Sequence, residues 1–204
     1  MAVNVVWADT AASRVEAAGI AREVELATGW YQSQAGKRPR FVRSGGAIDV
    51  RTAKLSLTRP QFEGLGFTNQ VQAIRTAVGD PGEISVVAFV DGSDPSACGR
   101  AGTDVIIYTD NGSGCPSRPS AATAAFPFGN SYLIAHELAH VMGAVPSCAP
   151  NYKPGAHVRD DPRDLLYEGP LPRDWSNITL DPGNDDYFRT GRTDCEDIDR
   201  SPLW

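Results

Sequence analysis

Apolar residues in the first part of the chain alternate between two spacings. Val3, Val5 and Trp7 recur at every second position and predict a half-buried strand, while Ala17, Ile20, Ala21, Val24 and Ala27 recur at helical spacing before Gly29. A β-then-α opening follows. Phe41 to Arg43, Ile48 to Val50 and Leu55 to Leu57 are short strand candidates separated by Ser44-Gly45-Gly46 and a polar stretch. After Pro60, Thr68 can cap a helix with an apolar face of Val71, Ile74 and Val78, stopped by Gly79. Ile84 to Val90 and Val105 to Tyr108 are continuous apolar runs and predict sheet strands, the first more central, the second able to offer its edge to an extended peptide. A helix then starts at Asn130 or Ser131 and ends near Gly143. Its stripes Ile134, Leu138, Val141 and Tyr132, Ala135, Ala139, Met142 embed it on most sides. Beyond it the periodicity fades: eight of the 15 prolines follow residue 143, among many Asp and Gly, which predicts a compact irregular region. The expected fold class is therefore α+β. Residues 1–143 would form an N-terminal mixed sheet with helices and 144–204 a small irregular C-terminal subdomain, together one catalytic domain.

Composition narrows the partners. The 204 residues carry 19 basic and 25 acidic side chains, a net charge of -6, with no long basic run, which disfavours nucleic acid and anionic membranes. No apolar stretch reaches spanning length, and the start MAVNVVWADT lacks the segments of a signal peptide. Four cysteines, Cys98, Cys115, Cys148 and Cys195, allow three disulfide connectivities, and Cys98–Cys115 with Cys148–Cys195 is the favoured one. Without CxxC spacing a cysteine zinc site is disfavoured, and disulfides imply an oxidising compartment. The expected location is secreted or extracellular, the chain being a mature form with an added start Met.

The candidate chemistry lies in His136-Glu137-Leu138-Ala139-His140, which holds two of only three histidines. On a helix, positions i and i+4 share a face, so two imidazoles can reach one zinc ion while the intervening glutamate meets a water at its open position. Zinc lowers the pKa of such a water to about 7 and polarises a carbonyl, and Glu137 would act as the base. The bland alternative, two ordinary helix histidines beside a surface glutamate, fits poorly with so apolar a helix. Gly143 can turn the chain back toward the metal, and His157, the remaining histidine, is the expected third ligand. Asp160 and Asp161 stay open as carboxylate ligands, with Glu168 a weaker choice. Tyr152, Tyr167 and Tyr187 are candidate donors to an oxyanion, although each could simply pack. Asp181, Asn184, Asp185 and Asp186 offer oxygens for Ca2+, but they lack the EF-hand spacing and fit turns better.

His136-Glu137-Leu138-Ala139-His140-Val141-Met142-Gly143 resembles the metzincin zinc-peptidase signature, HExxHxxG followed by a third His or Asp. The resemblance implies zinc ligation by His136 and His140, a base at Glu137, a chain-reversing Gly143, an N-terminal sheet-and-helix subdomain and a smaller irregular C-terminal one. Two departures stand out. The signature's last ligand position holds Pro146, so His157 arrives 11 positions later, and the methionine turn falls on Asp164-Leu165-Leu166-Tyr167 with Leu166 where Met is usual. The order Gly155-Ala156-His157-Val158, Asp164 to Tyr167, Leu180-Asp181 and Asp185-Asp186-Tyr187 is similar to that of a group of predicted secreted bacterial peptidases. The implied activity is a zinc metalloprotease, a hydrolase acting as an endopeptidase on peptide or protein substrates, and the chain is expected to be a monomer. A secreted binding protein with a structural zinc clamp, and a zinc amidohydrolase for non-peptide substrates, are the competing readings.

Overall fold

The computed structural model describes residues 1–110, 130–169 and 177–204. Its framework is a five-stranded mixed sheet with helices on both faces, compatible with an α+β class. Strands β1 (Ala2–Val6), β4 (Val50–Lys54), β5 (Val87–Val90), β6 (Gly99–Ala101) and β7 (Val105–Tyr108) lie in the order β4-β1-β5-β7-β6. Neighbours are parallel except β6, which runs antiparallel to β7. A small hairpin of β2 (Arg43–Ser44) and β3 (Ala47–Ile48) turns at Gly45-Gly46, both at positive φ.

Period-two alternation sorts the central strands into two cores. Ala2, Val87, Phe89, Val105 and Ile107 face one side, where they meet α1 (Ala17–Ala35), α4 (Asn130–Val141) and the C-terminal region. Val3, Val5, Ala88, Val90, Ile106 and Tyr108 face the other and meet Phe62 of α2 (Arg59–Glu63) and Ile74 of α3 (Phe67–Ala77). β1 is thus wholly buried and not half-buried, because it pairs on both edges and is covered on both faces.

Several predicted boundaries move. α1 runs through Gly29 to a left-handed Gly36, whose N–H bonds to Gln32 O. Thr68 lies inside α3, which Gly66 precedes, and Leu55 to Leu57 follow β4 without joining it. β5 begins at Val87, leaving Ile84 exposed. Val105 to Tyr108 is not an edge: β7 is flanked by β5 and β6, and β6 is the outermost strand on that side among the described residues.

The C-terminal region is irregular, as expected. Among the described residues it holds one 3-10 turn, Ile198–Arg200, and isolated bridges such as Asp164↔Thr179. It shares a core with the sheet, since Leu165, Leu166, Tyr187 and Ile198 join the cluster built on α1 and α4. Its backbone is organised by aspartates. Asp181 accepts N–H groups from Asp185, Asp186, Tyr187 and Phe188, Asp186 accepts two bonds from Asn151, and Asp197 accepts from Arg189, Thr190 and Asp199. The disulfide Cys148–Cys195 closes the region onto the segment after α4. Cys115, the expected partner of Cys98, lies outside the described residues. Among the described residues no helix is long and apolar enough to cross a membrane.

Candidate metal centre

Helix α4 carries the site because it is anchored at both ends and along its length. Its first turn contains Asn130 and Ser131, and there the Ser131 N–H donates to Glu23 Oε2 of α1 at 2.8 Å. A buried carboxyl at a helix N-terminus meets free N–H groups. Tyr31 OH donates to Ala135 O at 2.7 Å, fixing α4 against α1 beside the first histidine. At the other end Gly143 adopts φ +89, and Ala144 N–H bonds to Ala139 O at 2.9 Å, so the chain reverses toward the His face.

Three imidazoles converge there. His140 Nε2 lies 3.2 Å and His157 Nε2 3.3 Å from His136 Nε2. Two nitrogens at the usual zinc distance in a tetrahedral shell stand roughly 3.3 Å apart, so the spacing fits a shared ion. The hydrogen-bond pattern points the same way. His136 Nδ1 is 2.9 Å from Leu165 O, and since a carbonyl only accepts, Nδ1 carries the proton and Nε2 presents its lone pair inward. One lone pair cannot serve two N–H donors well, whereas a cation satisfies three converging lone pairs. Burial lowers the pKa of all three rings, and mutual repulsion lowers His136 and His140 further, so they are neutral at pH 7 as metal ligands must be. The trio is a group that could hold a metal ion, and the donor set suits zinc.

Glu137, next along the helix, turns to the other wall. It is buried, and burial pushes its carboxyl up to about 8, opposed by Arg100. Its space depends on Gly99 of β6: a Cβ there would lie 2.8 Å from Glu137 Oε1 and 3.0 Å from Cγ. Gly99 has no left-handed φ, so room for the carboxylate, not backbone conformation, is what calls for glycine. Arg100 is steered by Asp94, at 2.7 Å from Nε, and burial of Asp94 is outweighed by bonds from Arg100 and Ser96 that draw it down to about 2. The histidines and Glu137 sit in a cleft of about 760 Å³ between β6 on one side and residues 155–157 and 167–169 on the other.

The sequence candidates separate clearly. His136, Glu137, His140 and His157 come together, while Asp161 pairs with Arg163 and Asp160 sits in a separate group with Asp185 and Asp186. Glu168 lines the cleft rim, where it pairs with Lys153. Tyr167 lines the cleft, Tyr152 is exposed elsewhere, and Tyr187 is fully buried with its hydroxyl bonded to Asp164, too far inside to meet an oxyanion. Asp181 and Asn184 form a turn around the Asp181 carboxyl, whereas Asp185 and Asp186 join Asp160 in a second, largely exposed group of oxygens that could hold a metal ion. Gly99, Arg100 and the Leu165 carbonyl were not singled out from sequence; no local pattern marks them, because each reaches the site through strand order or loop docking. Comparison of the chain with family models, with curated proteins and with solved structures returns no match.

Proposed function

We propose that this chain is a secreted zinc metallopeptidase of metzincin type that hydrolyses internal peptide bonds. The observation that carries the reading is the convergence of three neutral imidazoles beside a buried carboxyl in an open cleft. His136, His140 and His157 would hold zinc, which when bound supplies Lewis acidity to acidify a water and polarise a carbonyl. With a cation bound, whose charge would favour its ionised form against the burial that raises it, Glu137 would serve as the base for such a water and would pass the proton to the leaving amine. Gly99 leaves the carboxylate room to swing between those two positions, and Arg100 supplies a positive charge nearby. Among the described residues strand β6 has a strand partner on one side only, so an extended substrate can pair along it on both sides of the bond to be cut, which favours endopeptidase action. Among the described residues the His group has three members and not the four of a closed structural site, which favours catalysis over a zinc clamp. The left-handed Gly143 after α4 and the later histidine support the metzincin reading, from which the chain departs in having Pro146 at the third-ligand position and Leu166 in place of the methionine. The disulfide suits an extracellular protein.

The test is cleavage of an unfolded protein by purified, zinc-loaded enzyme. Chelation should abolish it and zinc should restore it, and Glu137→Gln should lower kcat by about 10²–10⁴ while leaving one zinc per chain. Cleavage that survives chelation, or full activity in the variant, would remove the mechanism. A protein that holds zinc tightly but hydrolyses nothing would support the structural clamp instead.

A further inference from the structure

Tyr187 lies outside the cleft, yet it is joined to the metal face by an unbroken run of hydrogen bonds. Its hydroxyl donates to Asp164 Oδ1 at 2.9 Å and accepts the Asp181 N–H at 3.2 Å. The same Asp164 oxygen accepts the Leu166 N–H at 2.6 Å. That N–H belongs to the peptide unit whose carbonyl, Leu165 O, accepts from His136 Nδ1 at 2.9 Å and from Tyr132 OH at 3.2 Å. A peptide unit is planar and trans, so fixing the direction of its N–H fixes the direction of its C=O. Asp164 therefore aims the Leu165 carbonyl at His136, and Tyr187 holds Asp164.

We propose that Tyr187, acting through Asp164 and the Leu165–Leu166 peptide, is a positioning residue that sets the tautomer and ring orientation of His136 for metal binding. The inference rests on the metal-centre reading and deepens it. Groups that orient a ligating histidine from behind typically change metal affinity 10–100-fold when removed. The run behind His136 is buried: Tyr187 and Leu165 are at 0% and Asp164 at 2% exposure, so no water can take over a lost bond cheaply. The other phenol near the site, Tyr132, donates to Leu165 O directly.

The experiment measures zinc affinity by competition with a chromogenic chelator and records the visible spectrum of the Co2+-loaded protein. Tyr187→Phe removes only the hydroxyl and is expected to weaken Kd about tenfold and shift the Co2+ bands. Tyr108→Phe is the control, since it too removes a buried phenol bond, to Gln70 Oε1 at 2.6 Å, but in the opposite core. It should lower Tm and leave Kd and spectrum unchanged. Asp164→Asn keeps an oxygen that accepts both bonds and should stay within about threefold of wild type, whereas Asp164→Ala should lose at least as much affinity as Tyr187→Phe. Adding Tyr187→Phe to Asp164→Ala should cost nothing more. Unchanged Kd and spectrum in a folded Tyr187→Phe would overturn the proposal, and so would equal affinities of Asp164→Asn and Asp164→Ala if Tyr187→Phe fails to fold. Failure of the wild type to bind zinc or Co2+ would instead overturn the metal-centre reading.

Discussion

The sheet half and the C-terminal region are stabilised by different means. In the sheet, Val5, Ala88, Phe89 and Ile107 are at 0% exposure, and the strands are held by apolar burial on two faces plus regular ladders. Among the described residues of the C-terminal region there are isolated bridges but no ladders, and aspartate side chains take their place: Asp164, Asp181, Asp186 and Asp197 each bind backbone N–H groups. The contrast explains how a segment with so little periodicity can hold His157 and the Leu165 carbonyl in register with α4. A carboxylate can satisfy N–H groups that point in several directions, which a strand neighbour cannot. The two halves meet at the candidate metal centre, to which α4 contributes His136 and His140 and the irregular region His157.

The largest test of this contrast is Asp181→Ala. It strips the acceptor from four N–H groups and is expected to cost about 4 kcal/mol or more, with hydrogen exchange rising first at residues 185–188. Phe89→Ala in the sheet should cost a similar ~3–5 kcal/mol through a cavity, but raise exchange in β1, β5 and β7 together. A loss below about 1 kcal/mol for Asp181→Ala would break the picture of an aspartate-built region. Metal removal comes next. Zinc at a thousandfold excess over Kd contributes about 4 kcal/mol, and chelation should loosen residues 155–168 before the strands, as read by limited proteolysis. Uniform loosening would mean that the metal does not join the halves as described.

Removing the disulfide by Cys148→Ala with Cys195→Ala is expected to cost about 2–4 kcal/mol, seen as a lower denaturant midpoint, with the sheet still formed. Smaller again is the effect at the wall between the halves. Gly99→Ala should displace Glu137 and lower kcat on the order of tenfold while zinc content and Tm hold, and wild-type turnover would sink the crowding argument.

The last test reads a pair of opposed pH slopes, each at most about 1.4 kcal/mol per pH unit. Asp94, drawn down to about 2 by its bonds from Arg100 and Ser96 despite burial, contributes stability that is present above its unfolded value of 3.8 and lost as pH falls through 2. Burial pushes Asp164 up to about 8, outweighing its bonds from Leu166 and Tyr187, so its contribution is full below 3.8 and lost as pH rises through 8. In metal-free protein, the Tm difference between wild type and Asp164→Asn should move against wild type as pH rises from 4 to 8. The difference for Asp94→Asn should move against wild type only as pH falls below 4. Parallel slopes would refute the assignment of one aspartate to a paired surface and the other to a core.

How much could be read from the chain depended on how far apart the cooperating residues lie. The alternation in Val3 and Val5, the apolar runs Ile84 to Val90 and Val105 to Tyr108, the helix over His136 to His140 and its stop at Gly143 are local periodicities, and the structure contains them, the first run as a strand from Val87 only. The three histidines were legible because they are the only ones, and Cys148–Cys195 because its partners flank the same irregular segment. Strand order was not legible. Nothing in Val105 to Tyr108 says that the short, half-buried Gly99–Ala101 will pair outside it and become the cleft wall. Nor does Tyr187 announce that it will hold Asp164. The sequence by itself determined which segments fold locally and which side chains can bind a metal, because rotation per residue and donor chemistry belong to neighbouring residues. Only the tertiary structure decided which edge faces Glu137 and which carbonyl aims His136, because those depend on surfaces brought together across the chain, and docking leaves no mark at either residue alone.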